Sequence, residues 1–171
     1  MIGIALMGAG RMARTHAKAI GAAGGRLITV YDVVESAAKS LAADAGASAA
    51  HSAEEAFDRP DVAAVLVATS SSTHVDLIIK AVQAGKAVMC EKPLAPNLSD
   101  AQRCINVLGS QASSVFLAFN RRFDPGHAEL KKAIDLGEIG SLEQLTITSR
   151  DPARLYPEFR RALSRHDDPR F

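Results

Sequence analysis

A disulfide framework is excluded first: the 171 residues include only two cysteines, Cys90 and Cys104, too few for one. Neither sign of charge is in excess. Lys and Arg number 20 against 19 Asp and Glu, a formal net charge of +1, and both signs are mixed along the chain. Such a chain lacks the broad electrostatic footprint of a binder of nucleic acid or anionic membrane, so neither is an expected partner and small-molecule chemistry is. No apolar run is long enough for a transmembrane span, and no internal repeat is present. The opening Met1-Ile2-Gly3-Ile4-Ala5-Leu6 run is too short for a signal peptide and lacks its charged start. The expectation is a soluble cytoplasmic protein with reduced thiols. What the chain has in quantity is apolar residues, 47% of the total, enough to fill the core of one α/β domain with a further fragment attached.

Apolar runs of strand length alternate with longer stretches at helical spacing, the pattern of βαβ units and a parallel sheet. Strands are expected at Ile2–Met7, Leu27–Tyr31, Ala47–Ala50, Ala63–Ala68, Ala87–Cys90 and Val115–Ala118. Their near-continuous apolar character fits strands covered on both faces by helices. Helices are expected at Met12–Ala22, Glu35–Ala45, Ala53–Phe57, Thr73–Ala84 and Ser99–Leu108, the last capped by Asn97 or Ser99. After Phe119 the alternation changes: a helix at Pro125–Leu136 leads through Gly137 and Gly140 to an alternating segment, Leu142–Ser149, read as a strand. The fold class is therefore α/β, a doubly wound parallel Rossmann sheet over residues 1–119, with an α+β second domain beginning at 120–153. Residues 154–171 are dense in Arg and Asp without a sustained period and read as an irregular tail.

Gly8-Ala9-Gly10-Arg11-Met12-Ala13 follows the first strand and opens a helix. A glycine-rich turn at such a place lets backbone come close to a pyrophosphate, whose charge then sits at the amides and positive end of the helix. Gly8 supplies the tight turn, Gly10 the close approach, and Ala13 the small residue where helix meets strand. Asp32 at the end of the next strand completes a dinucleotide-binding fingerprint. Its carboxylate accepts hydrogen bonds from ribose hydroxyls and repels a 2′-phosphate, which favours NAD over NADP. The same residue is also placed to cap the helix beginning near Val34.

Glu91-Lys92-Pro93 after Val88-Met89-Cys90, together with Ala68-Thr69-Ser70-Ser71-Ser72-Thr73-His74, resembles the Gfo/Idh/MocA family of sugar and polyol dehydrogenases. Phe119-Asn120-Arg121-Arg122-Phe123-Asp124-Pro125 and Ser149-Arg150-Asp151-Pro152 resemble its inositol 2-dehydrogenase branch, and the likeness runs from Met1 to about Ala153. The resemblance implies NAD-dependent oxidation of a cyclic polyol, homo-oligomers in intact relatives, and a catalytic role for Lys92 at the reacting hydroxyl and the nicotinamide ribose. It implies cofactor contacts from Gly8, Gly10, Arg11, Met12, Asp32, Thr69, Ser70, His74, Glu91, Lys92, Asn120 and Arg121. For His74 a capping or packing role is an equal alternative. Cys90 reads as a buried strand-end residue, because hydride transfer needs no thiolate and no activating partner is evident. No metal site is expected.

The resemblance also implies a following Ser-Gly-Gly segment and an Asp-Met-x-x-His-Asp helix that supplies the histidine base. Neither is in the sequence. His166-Asp167-Asp168 has the wrong order to put both groups on one helical face, and Pro169 disfavours helix at the residue before it. Yet Arg154–Phe171, back-translated with permitted synonymous codons and read one base later, yields A-F-I-R-S-S-G-G-L-S-R-D-M-T-I-H-D-F. The expectation is a frameshift near Ala153 or Arg154 that leaves the second domain truncated and the tail out of frame. A natural short paralogue with a charged tail is the alternative, and the DNA beyond the codon for Ala153 decides between them.

Overall fold

The protein is described from a computed structural model over residues 1–149. The tail at 154–171, the expected frame change and the Ser149-Arg150-Asp151-Pro152 motif beyond its first residue lie outside the described residues. The chain divides into two compact units, Met1–Arg122 and a second beginning at Phe123.

In the first unit six parallel strands form one sheet: β1 (Gly3–Met7), β2 (Arg26–Tyr31), β3 (Ser48–Ala49), β4 (Ala64–Val67), β5 (Ala87–Cys90) and β6 (Val115–Leu117). Their order is β3-β2-β1-β4-β5-β6. This is the doubly wound Rossmann arrangement, in which the order reverses between β1 and β4. The helices between them are α1 (Arg11–Ala22), α2 (Glu35–Asp44), α3 (Ala53–Asp58), α4 (His74–Gln83) and α5 (Leu98–Leu108).

Side chains alternate across each strand, and here both faces are apolar. Ala5 and Met7 of β1, Val65 and Val67 of β4, and Val88 and Cys90 of β5 enter one core with Phe57 of α3, Ile78 of α4 and Cys104 of α5. Leu6 and Leu66 enter a second core with Ala13 and Ile20 of α1 and Leu41 of α2. That two-sided burial is why the strands read as unbroken apolar runs. The helix ends follow local chemistry: Asn97 caps α5 by accepting a 2.9 Å bond from the Asp100 amide, and Ser52 caps α3 through the Glu55 amide at 3.0 Å.

The second unit opens with α6 (Pro125–Asp135), capped by Asp124, whose carboxylate accepts from the His127 amide at 3.1 Å, with Pro125 in the first turn. The expected strand at Leu142–Ser149 is not formed: residues 142–149 carry no strand structure and pair with no strand among the described residues. Alternation assigns side chains to two faces, but a strand persists only as a hydrogen-bonded member of a sheet.

Candidate functional site

The carboxyl ends of β1, β2, β4 and β5 open into a cleft of about 890 Å³ at the reversal point of the sheet. That volume is at the upper end of the roughly 300–1,000 Å³ of small-molecule pockets. Hydrogen bonds that continue the ladders past the strand ends bring the loops together: the Gly8 amide donates to Tyr31 at 2.7 Å, that of Ala68 to Met7 at 2.8 Å, and that of Glu91 to Val67 at 2.8 Å.

Gly8 has φ +102°, and a Cβ added there would lie 2.6 Å from the Ala68 carbonyl oxygen. The turn after β1 therefore packs against the loop after β4 at a distance that only glycine permits. Gly10 is different. It is the N-cap of α1, has φ −75°, and a Cβ there would meet no protein atom within 4 Å. Because Gly10 lines the cleft, a side chain would project into its space. Neither a capping side chain nor an acidic residue occupies the first turn of α1, so the amino end of this helix presents its positive pole to the cleft. These features fit a dinucleotide: a backbone cradle for the pyrophosphate and, across it, a carboxylate.

That carboxylate is Asp32. Its Oδ2 accepts from the Ala9 amide at 2.7 Å and its Oδ1 from the Val34 amide at 2.8 Å. One side chain thus braces the glycine turn and the approach to α2, whose N-cap residue is Val34 and has no side-chain cap.

Arg11, Met12, Thr69, Ser70, His74, Glu91 and Lys92 also line the cleft, together with Gly8, Gly10 and Asp32. Asn120 and Arg121 do not. They lie in a 3-10 turn after β6, the edge strand paired to β5, whose end carries Glu91 and Lys92 into the cleft. Lys92 is exposed, and its Nζ has no ion-pair or hydrogen-bond partner among the described residues. Its backbone N–H donates to Glu91 Oε2 at 3.2 Å, and the Lys92-Pro93 peptide is cis. His74, the first residue of α4, is 1% exposed, with Nδ1 2.8 Å from the Pro93 carbonyl oxygen and Nε2 3.2 Å from that of Thr69. Burial pushes the Cys90 thiol up to about 12, with the neighbouring Cys104 and Glu91 adding to the rise, which leaves it a neutral core residue.

The most informative residue that the sequence reading passes over is His16. From α1 it places Nε2 2.7 Å from Glu91 Oε1, a partly buried contact across 75 positions. A signal for it exists: His16 lies three residues after Ala13 and four before Ile20, both buried, so a polar residue stands on the inward face of an amphipathic helix. Tyr31, Val33 and Leu77 line the cleft as well, and a 2.8 Å Lys80–Glu54 ion pair joins α4 to α3 at its wall.

No helix among the described residues is long and apolar enough to cross a membrane. Likewise no cluster of metal-ligating side chains is found among them.

The inositol 2-dehydrogenase of Rhizobium meliloti is 40% identical over 149 residues, which cover 86% of this chain and 45% of that protein. A solved myo-inositol dehydrogenase of Corynebacterium glutamicum superposes with a TM-score of 0.84 at 42% identity, covering 90% of this chain and 46% of the other. The scyllo-inositol dehydrogenase of Lactobacillus casei, solved with bound NAD(H) and scyllo-inositol, superposes with a TM-score of 0.76 at 27% identity over 82% of this chain and 43% of its own. This chain spans less than half the length of these relatives. The family described as an oxidoreductase family with an NAD-binding Rossmann fold matches residues 2–119. With its glycine turn, Asp32 and Lys92 gathered in one cleft at the reversal of the sheet, the chain belongs to the Gfo/Idh/MocA oxidoreductase family and carries its NAD-binding Rossmann domain.

Proposed function

We propose that this protein is the cofactor-binding part of an NAD-linked dehydrogenase acting on a ring CH–OH of a cyclic polyol, with inositol the substrate class. The carrying observation is the convergence of the Gly8-Ala9-Gly10 turn, Asp32 and Lys92 on one cleft. Arg11 and Met12 follow the turn over the pyrophosphate, Asp32 takes the adenosine ribose, and Thr69, Ser70, His74 and Glu91 wall the path toward the nicotinamide end. Asn120 and Arg121 are assigned a place beside the nicotinamide and the substrate. Bound NAD supplies the hydride acceptor, so that the alcohol carbon is oxidised to a ketone while the hydroxyl proton leaves to a base. Lys92 is the catalytic residue: its ammonium brings positive charge and hydrogen-bond donors to the hydroxyl oxygen as negative charge gathers there. The chain is assigned to the cytoplasm, where NAD and reduced thiols are maintained.

Residues 1–119 form the NAD-binding domain, and 120–153 begin the substrate and oligomerisation domain. A second reading, NAD binding without turnover, has one observation in its favour. The cleft histidine, His74, has both ring nitrogens against the Pro93 and Thr69 carbonyls, so it is not free to act as base, and a general base contributes about 10²- to 10⁴-fold. NAD titration of the 171-residue protein, alongside NADH formation with myo-inositol, separates the readings. Turnover that falls in Lys92→Ala supports the first, binding without turnover supports the second, and absence of NAD binding overturns both.

A further inference from the structure

Lys92 is held by neither an ion pair nor a side-chain hydrogen bond among the described residues, yet the two residues flanking it are both anchored by histidines. On one side, His16 Nε2 lies 2.7 Å from Glu91 Oε1, with side-chain exposures of 16% and 13%. A carboxylate can only accept, so the ring donates from Nε2. The other Glu91 oxygen accepts the Lys92 amide at 3.2 Å, so the side chain that receives the histidine also holds the lysine backbone. On the other side, His74 approaches the Pro93 carbonyl at 2.8 Å with Nδ1. A carbonyl likewise only accepts, and with a single ring N–H the shorter contact assigns the donor to Nδ1. The opposite edge of the same buried ring lies against the Thr69 carbonyl at 3.2 Å.

We propose that His16 and His74 are a two-point clamp on Glu91-Lys92-Pro93, positioning residues that set where Lys92 stands at the nicotinamide end of the cleft. The inference rests on the cofactor placement proposed above. It joins three loops of the switch point: His16 comes from the helix that follows the glycine turn, His74 from the helix after β4, and the clamped segment from the end of β5. Lysine is a flexible four-carbon stem, so the position of its charge depends on a fixed backbone origin. Partly buried hydrogen bonds on both flanks supply that origin where the side chain itself has no tether. Neither histidine then needs to touch the cofactor.

The test uses the full 171-residue protein with His16→Ala, His16→Gln, His74→Ala and His74→Asn. Glutamine and asparagine return an N–H donor at about the place of Nε2 and Nδ1 respectively. Hydrogen exchange of the Glu91 and Lys92 amides is measured, with affinity for NAD and for ADP-ribose, which lacks the nicotinamide. The alanine variants should exchange about tenfold faster at these amides while β1 and β2 stay protected. They should bind NAD several-fold more weakly with ADP-ribose affinity unchanged, and the amide variants should restore both. Unchanged exchange in His16→Ala overturns the clamp, as does an equal loss of NAD and ADP-ribose binding. If His74→Ala does not fold, the His16 pair with His74→Asn still decides the matter. If the wild-type protein itself binds neither nucleotide, faster exchange in the alanine variants supports the clamp and overturns the cofactor reading, so the two fail separately.

Discussion

Gly8 and Gly10 belong to one motif but should fail for opposite reasons when given a methyl group. At Gly8 the backbone has φ +102° and the new Cβ would stand 2.6 Å from the Ala68 oxygen, 2.9 Å from its carbonyl carbon and 3.2 Å from the Thr69 nitrogen. All three are backbone atoms of the loop that directly follows the central strand β4, which cannot swing aside as a side chain would. The positive φ alone costs an L-residue roughly 1–2 kcal/mol, and forcing a methyl group into packed structure costs roughly another 1–3 kcal/mol. Gly8→Ala should therefore destabilise the fold by about 2–5 kcal/mol, a large share of a domain's roughly 5–15 kcal/mol. At Gly10 the methyl meets nothing, φ is −75°, and the only folding cost is the weaker N-cap, at most about 1 kcal/mol. Its effect should fall on the cofactor, because the methyl occupies the approach to the pyrophosphate. Urea unfolding and calorimetric NAD titration of both variants provide the check. Gly8→Ala should lower the unfolding midpoint strongly, and Gly10→Ala should lower it only slightly and lose at least tenfold in NAD affinity. A Gly8→Ala protein as stable as wild type would refute the close-approach argument, and unaltered NAD binding by Gly10→Ala would refute the cradle.

Asp32→Ala removes the acceptor of the Ala9 and Val34 amides and the charge expected to repel a 2′-phosphate. NAD affinity should fall about tenfold while NADP affinity holds or rises, read by parallel titrations. Cys90 is raised to about 12 and Cys104 in the same direction by burial, so above pH 9 the unfolded chain loses thiol protons that the folded one keeps. Stability contributed by Cys90 should be constant below about pH 8 and decline from pH 9 toward 12, by up to about 1.4 kcal/mol per pH unit, with Cys104 adding a decline of the same sign. Urea midpoints against pH for wild type and Cys90→Ala test this, and an equal alkaline decline in both would exclude Cys90 as a source. Asn97→Ala should lose the cap of α5 and about 1 kcal/mol, seen as a lower Tm with NAD binding intact.

Hydrophobic spacing in the sequence alone determined the alternation of strands and helices in the first unit. The expected Ala87–Cys90 matches β5, and the other strands and helices of this unit differ from expectation by no more than two residues at either end. Local chemistry was as legible: a cap at Asn97 or Ser99, which the structure gives to Asn97, the glycine turn between β1 and α1, and Asp32 at the end of β2 are written in neighbouring residues. These features depend on interactions within a few positions of one another, which is why one-dimensional spacing carries them. Contacts across long loops were decided only in the tertiary structure. The His16–Glu91 contact exists because β1 and β5 flank β4, an adjacency that no local pattern encodes. His74 left two roles open from sequence, and its ring was found against two backbone carbonyls only when the loops after β4 and β5 met. Asn120 and Arg121 follow the edge strand β6 and are not among the residues that line the cleft, although their motif is as recognisable as the others. Leu142–Ser149 shows the same division from the other side: its alternation is real, but a ladder needs a partner for each amide and carbonyl. Periodicity determines which face a residue takes, and the packing of distant segments decides what that face meets.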